Sequence, residues 1–186
     1  IRQTLKDIGV ENANFAVDNF DTVIYELNDA LPCFADINEL NYLAVKMDGM
    51  NGQQHDIFRA VIESSRHCGS MKDIINIVEN IDRFDLQPAF GPQMYGEFLA
   101  EMYRDHFAGA LEALGKSDDP AMRALAAHIG MLDDHLNAES YGRAVAEQEN
   151  GVFTERGLLT ESSGLREVYR GPEDIPHEYR VFAYAE

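Results

Sequence analysis

Tryptophan is absent from the 186 residues, proline occurs six times, and there are only two cysteines, Cys33 and Cys68. The two lie far apart and form neither a CxxC pair nor a disulfide framework, so reduced thiols in a cytoplasmic protein are expected. Apolar runs are a few residues long, far short of the roughly 20 that a membrane span needs. No basic stretch precedes an apolar one near the start, so no secretory signal is expected. The chain begins at Ile1 rather than Met, and further sequence is expected ahead of it. Basic residues are scarce: 15 Lys plus Arg stand against 33 Asp plus Glu, a net charge of −18. Small soluble domains more commonly carry a net charge of magnitude about 2–8. Such a field repels DNA, RNA and anionic membranes and attracts basic surfaces. Neither nucleic acid nor membrane is therefore expected as a partner. The acids form no long block, so they decorate folded elements rather than a disordered tail. Solubility, or a salt-adapted host, would account for the same charge.

What is present is enough for a core, since 45% of the residues are hydrophobic. Residues 1–32 read as a helix end (Leu5, Ile8, Gly9) followed by extended chain with the strand-type residues Phe15, Val17, Phe20, Val23 and Tyr25. Residues 36–84 read as three short amphipathic helices. Asp36 and Glu39 suggest a capping box ahead of Ile37, Leu40, Leu43, Ala44 and Met47. Ile57, Phe58, Val61 and Ile62 share one face of the next helix, which Gly69 is expected to end. Ser70 caps a third, with Ile74, Ile77, Val78 and Ile81 inward. The segment "RFDLQPAF" reads as a strand, and Pro92 as the first turn of a long helix carrying Tyr95, Phe98, Leu99, Met102, Tyr103 and Phe107 toward a core. Asp119 and Pro120 start another helix, with Gly142 of a Tyr-Gly-Arg taken as a stop after it. "GVFTERGLLT" reads as a hairpin or bulged strand, and "LREVYR" and "HEYRVFAY" as strands. The fold class is α+β: a helical middle domain, 36–86, precedes a helix-plus-antiparallel-sheet domain, 87–186, with 1–35 set apart.

Chemical constellations are thin. "GALEALGKS" has five residues between its glycines where a phosphate loop needs four, and it follows a helix. His135 and Glu139 would share a helix face if one helix ran through both, but no second histidine accompanies them. His67-Cys68 lacks the base and orienting group of a catalytic thiol. No enzyme activity, metal or cofactor is expected. The aromatic stripe of the long helix lacks the basic residues of a nucleic-acid stacking platform. The remaining candidate is the acidic surface: Asp118, Asp119, Asp133, Asp134, Glu139, Glu147 and Glu149. Helical carboxylates three or four residues apart recur every 5–6 Å on one face.

Three segments carry a resemblance. "FADINELNYLA" (34–44), "NAESYGRAV" (137–145) and "GVFTERGLL" (151–159) are similar in order and spacing to segments of the ArdA antirestriction family. Ala144 stands where that family often has an acid, and most of its N-terminal domain has no counterpart here. The resemblance implies an elongated homodimer that mimics bent DNA and occupies the DNA-binding groove of type I restriction–modification enzymes, encoded on a mobile genetic element. It implies an antirestriction segment near the dimer seam comprising Asp133, Asp134, Glu139, Tyr141, Gly142 and Arg143, with Asp118 and Asp119 on the same helical hairpin. The alternative is an acidic interaction module from such an element that binds another basic DNA-binding protein.

Overall fold

The computed structural model describes residues 7–9, 16–17, 22, 24–32 and 35–182. Cys33, Leu5, Phe15, Phe20 and Val23 lie outside the described residues. The fold is α+β, with helices preceding a small antiparallel sheet. In chain order the elements are β1 Ala16–Val17, α1 Tyr25–Ala30, β2 Ala35–Asp36, α2 Ile37–Asp48, α3 Gly52–Glu63, α4 Met71–Glu79, β3 Phe84–Gln87, α5 Pro92–Gly115, α6 Pro120–Asp134, α7 Ala138–Gln148, β4 Val152–Thr154 and β5 Gly157–Glu161. β1 pairs antiparallel with β2, and the larger sheet has the order β3-β5-β4.

The chain forms two compact units: residues 1–86 with 161–186, and residues 87–160. This division differs from the expected 1–35, 36–86 and 87–186, because the last segment joins the first unit. The reason is visible in its bonds. "LREVYR" forms no strand; its backbone is taken by helix side chains, as when Asn80 Oδ1 accepts from Arg166 N at 3.0 Å and Asn76 Oδ1 from Tyr169 N at 2.9 Å. "HEYRVFAY" begins as a single 3-10 turn, His177–Tyr179, and its last two residues lie outside the described residues.

In the first unit α3 and α4 supply the core. Phe58, Val61, Ile74, Ile75 and Ile77 are wholly buried. Burying each such side chain contributes roughly 1.5–3 kcal/mol, which outweighs the weak helix propensity of β-branched residues. Local signals set the helix starts. Asp36 accepts from the amides of Asn38 and Glu39, and Ser70 from Asp73. The capping box lies elsewhere than expected, since Glu39 accepts from the Tyr169 hydroxyl at 2.7 Å and the reciprocal pair is Asn51–Gln54. The inward face of α2 is also shifted: Asn38, Tyr42 and Leu43 are buried, whereas Ala44 is exposed. Tyr25 opens a helix rather than extending a strand. Ile24, Leu27 and Leu31 are all buried at spacings of three and four, which only a helix allows. α3 stops at Glu63, before Gly69, and the chain then turns through Ser65 and His67 with φ of 55° and 56°.

The second unit holds a smaller core of Ala89, Tyr95, Leu99, Ala146 and Leu158, flanked by Tyr141, Val145 and Phe153. β4 and β5 form a tight hairpin in the register Val152↔Leu159, with Gly157 at φ 136° closing the turn. Pro92 occupies the first turn of α5, and Asp119 caps α6 by accepting from Ala121 N at 2.8 Å.

Candidate functional site

Tyr-Gly-Arg does not end a helix. It lies inside α7, while α6 ends at Asp134 and His135-Leu136-Asn137 make the break. Gly142 is present for packing. A Cβ there would stand 2.0 Å from the Pro92 carbonyl oxygen and 2.6 Å from Gly96 N. A Cβ on Gly96 would stand 1.8 Å from the Ala138 carbonyl oxygen. The two glycines therefore let the backbones of α5 and α7 touch. Tyr141 lies on the same packed side, and burial next to Tyr103 raises its phenol above the ordinary tyrosine range. Arg143, on the outer face, pairs with Glu139 at 2.9 Å.

The acids expected to form the surface fall into distinct settings. Asp118 and Asp119 are exposed in the turn between α5 and α6, with Asp119 spent as a cap. Asp133 accepts from Arg104 Nε at 2.6 Å, and exposed Asp134 follows it. Glu139 and Glu147 lie on the outer face of α7. Glu149 accepts from the Tyr95 hydroxyl at 2.8 Å, which joins it to the core; burial, and then this bond, push the Tyr95 phenol up.

The row that sequence reading missed is on α5. Glu97, Glu101, Asp105 and Glu112 are all exposed, and at about 100° per residue they fall within an arc of about 80°. Their spacing of four, four and seven is present in the sequence, interleaved with the aromatic stripe. Glu97 also shares an open depression with Glu139, so the rows of α5 and α7 meet there. Lys116 pairs with Glu112 at the far end.

The stripe itself is only partly core. Tyr95 and Leu99 are buried, but Phe98, Met102, Tyr103 and Phe107 are 56%, 43%, 43% and 48% exposed. α6 buries no residue at all, and Met131 and Leu132 are exposed. The reason is geometric: the buried residues of α5 lie between Tyr95 and Ala100, and beyond them α6 and Tyr141 of α7 leave the apolar face open. Between α5 and α6 runs an apolar groove of about 520 Å³, lined by Tyr103, Phe107, Leu111, Leu114, Ile129 and Leu136 among others.

No family model, curated protein or solved structure matches this chain.

The other constellations resolve differently. His135 and Glu139 lie on either side of a helix break, which removes the shared face a metal pair would need. Among the described residues no group of three His, Cys, Asp or Glu side chains is placed to hold a metal ion. The GALEALGKS segment continues α5 to Gly115 and forms no phosphate loop. Cys68 is half-buried and donates to the Arg66 carbonyl oxygen at 3.0 Å; burial and Asp73 push its thiol up to about 11. Among the described residues no helix is long and apolar enough to cross a membrane.

Proposed function

We propose that the chain is a DNA-mimic inhibitor of type I restriction–modification enzymes, acting in the cytoplasm by competing for their DNA-binding groove. The observation that carries this reading is the exposed row Glu97, Glu101 and Asp105 on α5, which meets Glu139 of α7 at one depression. Four residues of helix rise about 6 Å, so the row presents about one charge per 6 Å. One strand of duplex DNA carries about one charge per 3.4 Å. A single row therefore supplies about half the charge of a strand, and the carboxylates of Asp134, Glu139 and Glu147 are needed beside it. The resemblance of residues 34–44, 137–145 and 151–159 to ArdA proteins supports the same reading, as does the net charge of −18. On this reading the active species is a homodimer, and a second copy covers the exposed Phe98, Met102, Met131 and Leu132.

Titrating the purified chain into a type I methyltransferase–DNA complex tests the proposal. DNA is expected to be released at low salt, with the competition weakening as salt rises. Replacing Glu97, Glu101 and Asp105 by Lys together should abolish release while leaving the helical content unchanged. DNA that stays bound at saturating protein rules the reading out.

The second reading is an acidic module for another basic DNA-binding protein. In its favour, Arg104 on Asp133, Arg143 on Glu139 and Lys116 on Glu112 neutralise part of the array that a DNA groove would meet. The same titration against a nucleoid protein or nuclease separates the two.

A further inference from the structure

The segment from Ser162 to Phe182 contains no strand and only two 3-10 turns, Pro172–Asp174 and His177–Tyr179. Its side chains nevertheless include three buried groups of the first unit: Tyr169 at 2%, Ile175 at 1% and Val181 at 7% exposure. What holds its backbone is a set of asparagine side chains on α2 and α4. Asn80 accepts from Arg166 N at 3.0 Å and donates to Arg166 O at 2.9 Å. Asn76 accepts from Tyr169 N at 2.9 Å and donates to Tyr169 O at 2.7 Å. Asn38 accepts from Phe182 N at 2.9 Å and donates to Phe182 O at 3.2 Å. Asn41 donates to Tyr179 O at 2.8 Å. A carboxamide has one acceptor oxygen and donor hydrogens in the geometry of a peptide group. Each of three asparagines thus meets both the N–H and the C=O of one residue, as a neighbouring β-strand would. The bonds read main chain and are indifferent to sequence. Sequence selection falls to the anchors: Tyr169 packs on Tyr42 with ring centroids 6.0 Å apart and donates to Glu39, while Ile175 and Val181 follow at intervals of six.

We propose that the α2/α4 face, through Asn38, Asn41, Asn76 and Asn80, is a peptide-binding site occupied in cis by residues 165–182, and that it accepts the same segment supplied in trans. Its ligand class is a non-helical peptide with a tyrosine, then β-branched anchors six and twelve residues later. This is independent of the acidic rows, none of which it uses.

The test is exchange in the full chain. A specific-protease site is inserted between Gly164 and Leu165, next to the exposed Ser162-Ser163 turn, and cut after folding. The cut fragment is expected to co-elute with the body, and excess labelled peptide 165–182 is expected to replace it. A peptide carrying Tyr169→Ala and Ile175→Ala should fail to enter. In the body, Asn76→Ala leaves the amides of Val168 and Tyr169 without their acceptor, and exchange should accelerate roughly ten- to a hundredfold. Three outcomes overturn the proposal: no incorporation of label, equal incorporation of the doubly substituted peptide, or unfolding of the body when the fragment leaves. Hydrogen exchange on the uncut chain gives a second measurement. The amides of Val168 and Tyr169 should open before those of Ile74 and Ile77, and equal protection would show that the segment is core rather than occupant.

Discussion

In the first unit, α3 and α4 bury Phe58, Val61, Ile74, Ile75 and Ile77 completely, whereas in the second unit α6 buries nothing and the aromatic residues of α5 stand half in solvent. Both regions have amphipathic helices with polar side-chain caps, Asp36, Asn51 and Ser70 in one and Asp119 and Asn137 in the other, so helix formation is not where they differ. The difference is in what covers the apolar faces. Four helices, α1 to α4, and the returning C-terminal segment enclose the first core. α7 and the β4–β5 hairpin pack on the second, and α5 is buried only between Tyr95 and Ala100. A helical pair whose apolar residues are left open is suited to association, and a row of carboxylates beside it gives the association a preference of charge.

The sharpest way to probe this contrast is a paired truncation. Phe58→Ala should cost about 3–5 kcal/mol in urea unfolding, because a fully enclosed ring leaves a cavity. Leu132→Ala, at a site 66% exposed, should cost within about 0.5 kcal/mol for the isolated chain. A larger loss that grows with protein concentration would show that α6 is covered by another copy, and would narrow the contrast.

Next come the glycines. Gly142→Val should destabilise by about 3 kcal/mol, since its Cβ would overlap the Pro92 carbonyl on a backbone that cannot yield. Gly130→Ala in α6 meets nothing within 4 Å and should stabilise by about 0.5–1 kcal/mol. Similar melting temperatures for the two variants would mean that α5 and α7 do not cross as closely as described.

A kinetic difference follows from Cys68. With the thiol at about 11 against a reference of 9.0, iodoacetamide should label Cys68, read on its own peptide apart from Cys33, about a hundredfold more slowly in the native chain than in the unfolded chain at pH 8. The gap should close above pH 11. Because the raised value favours the protonated form in the native state, its contribution to stability is complete below pH 9 and is lost between 9 and 11. Equal labelling rates at pH 8 would contradict the burial assigned to this loop.

The smallest effect belongs to Arg143→Ala. Its pair with Glu139 is more than half exposed on both sides, and thermal unfolding should change by no more than about 0.5 kcal/mol. If Arg143 matters to function, the loss should appear in the competition assay alone.

Local signals were legible in the sequence where local physics decides. Asp36, Ser70, Asp119 and Pro92 start helices as their residue types require, and Gly157 closes the hairpin. The misreadings share a cause. A helix-internal glycine is costly, so Gly142 reads as a stop, and only the approach of Gly96, far off in the chain, explains its place. Asn38, Asn76 and Asn80 carry no local sign of burial in the sequence; they are buried because a segment from the far end of the chain bonds to their amides. "LREVYR" alternates like a strand, and its partners proved to be helix side chains. The acids were visible by type, but which of them Arg104, Arg143 or Tyr95 engages depends on packing.

The asparagine clasp sets a schedule for the nascent chain. Asn38 leaves the ribosome 143 residues ahead of Val181, whose amide it must receive. At roughly 5–20 residues per second, the helix bearing it waits on the order of ten to thirty seconds for its counterpart. Throughout that interval the Tyr42 ring lacks the Tyr169 and Tyr179 rings that pack against it in the finished unit.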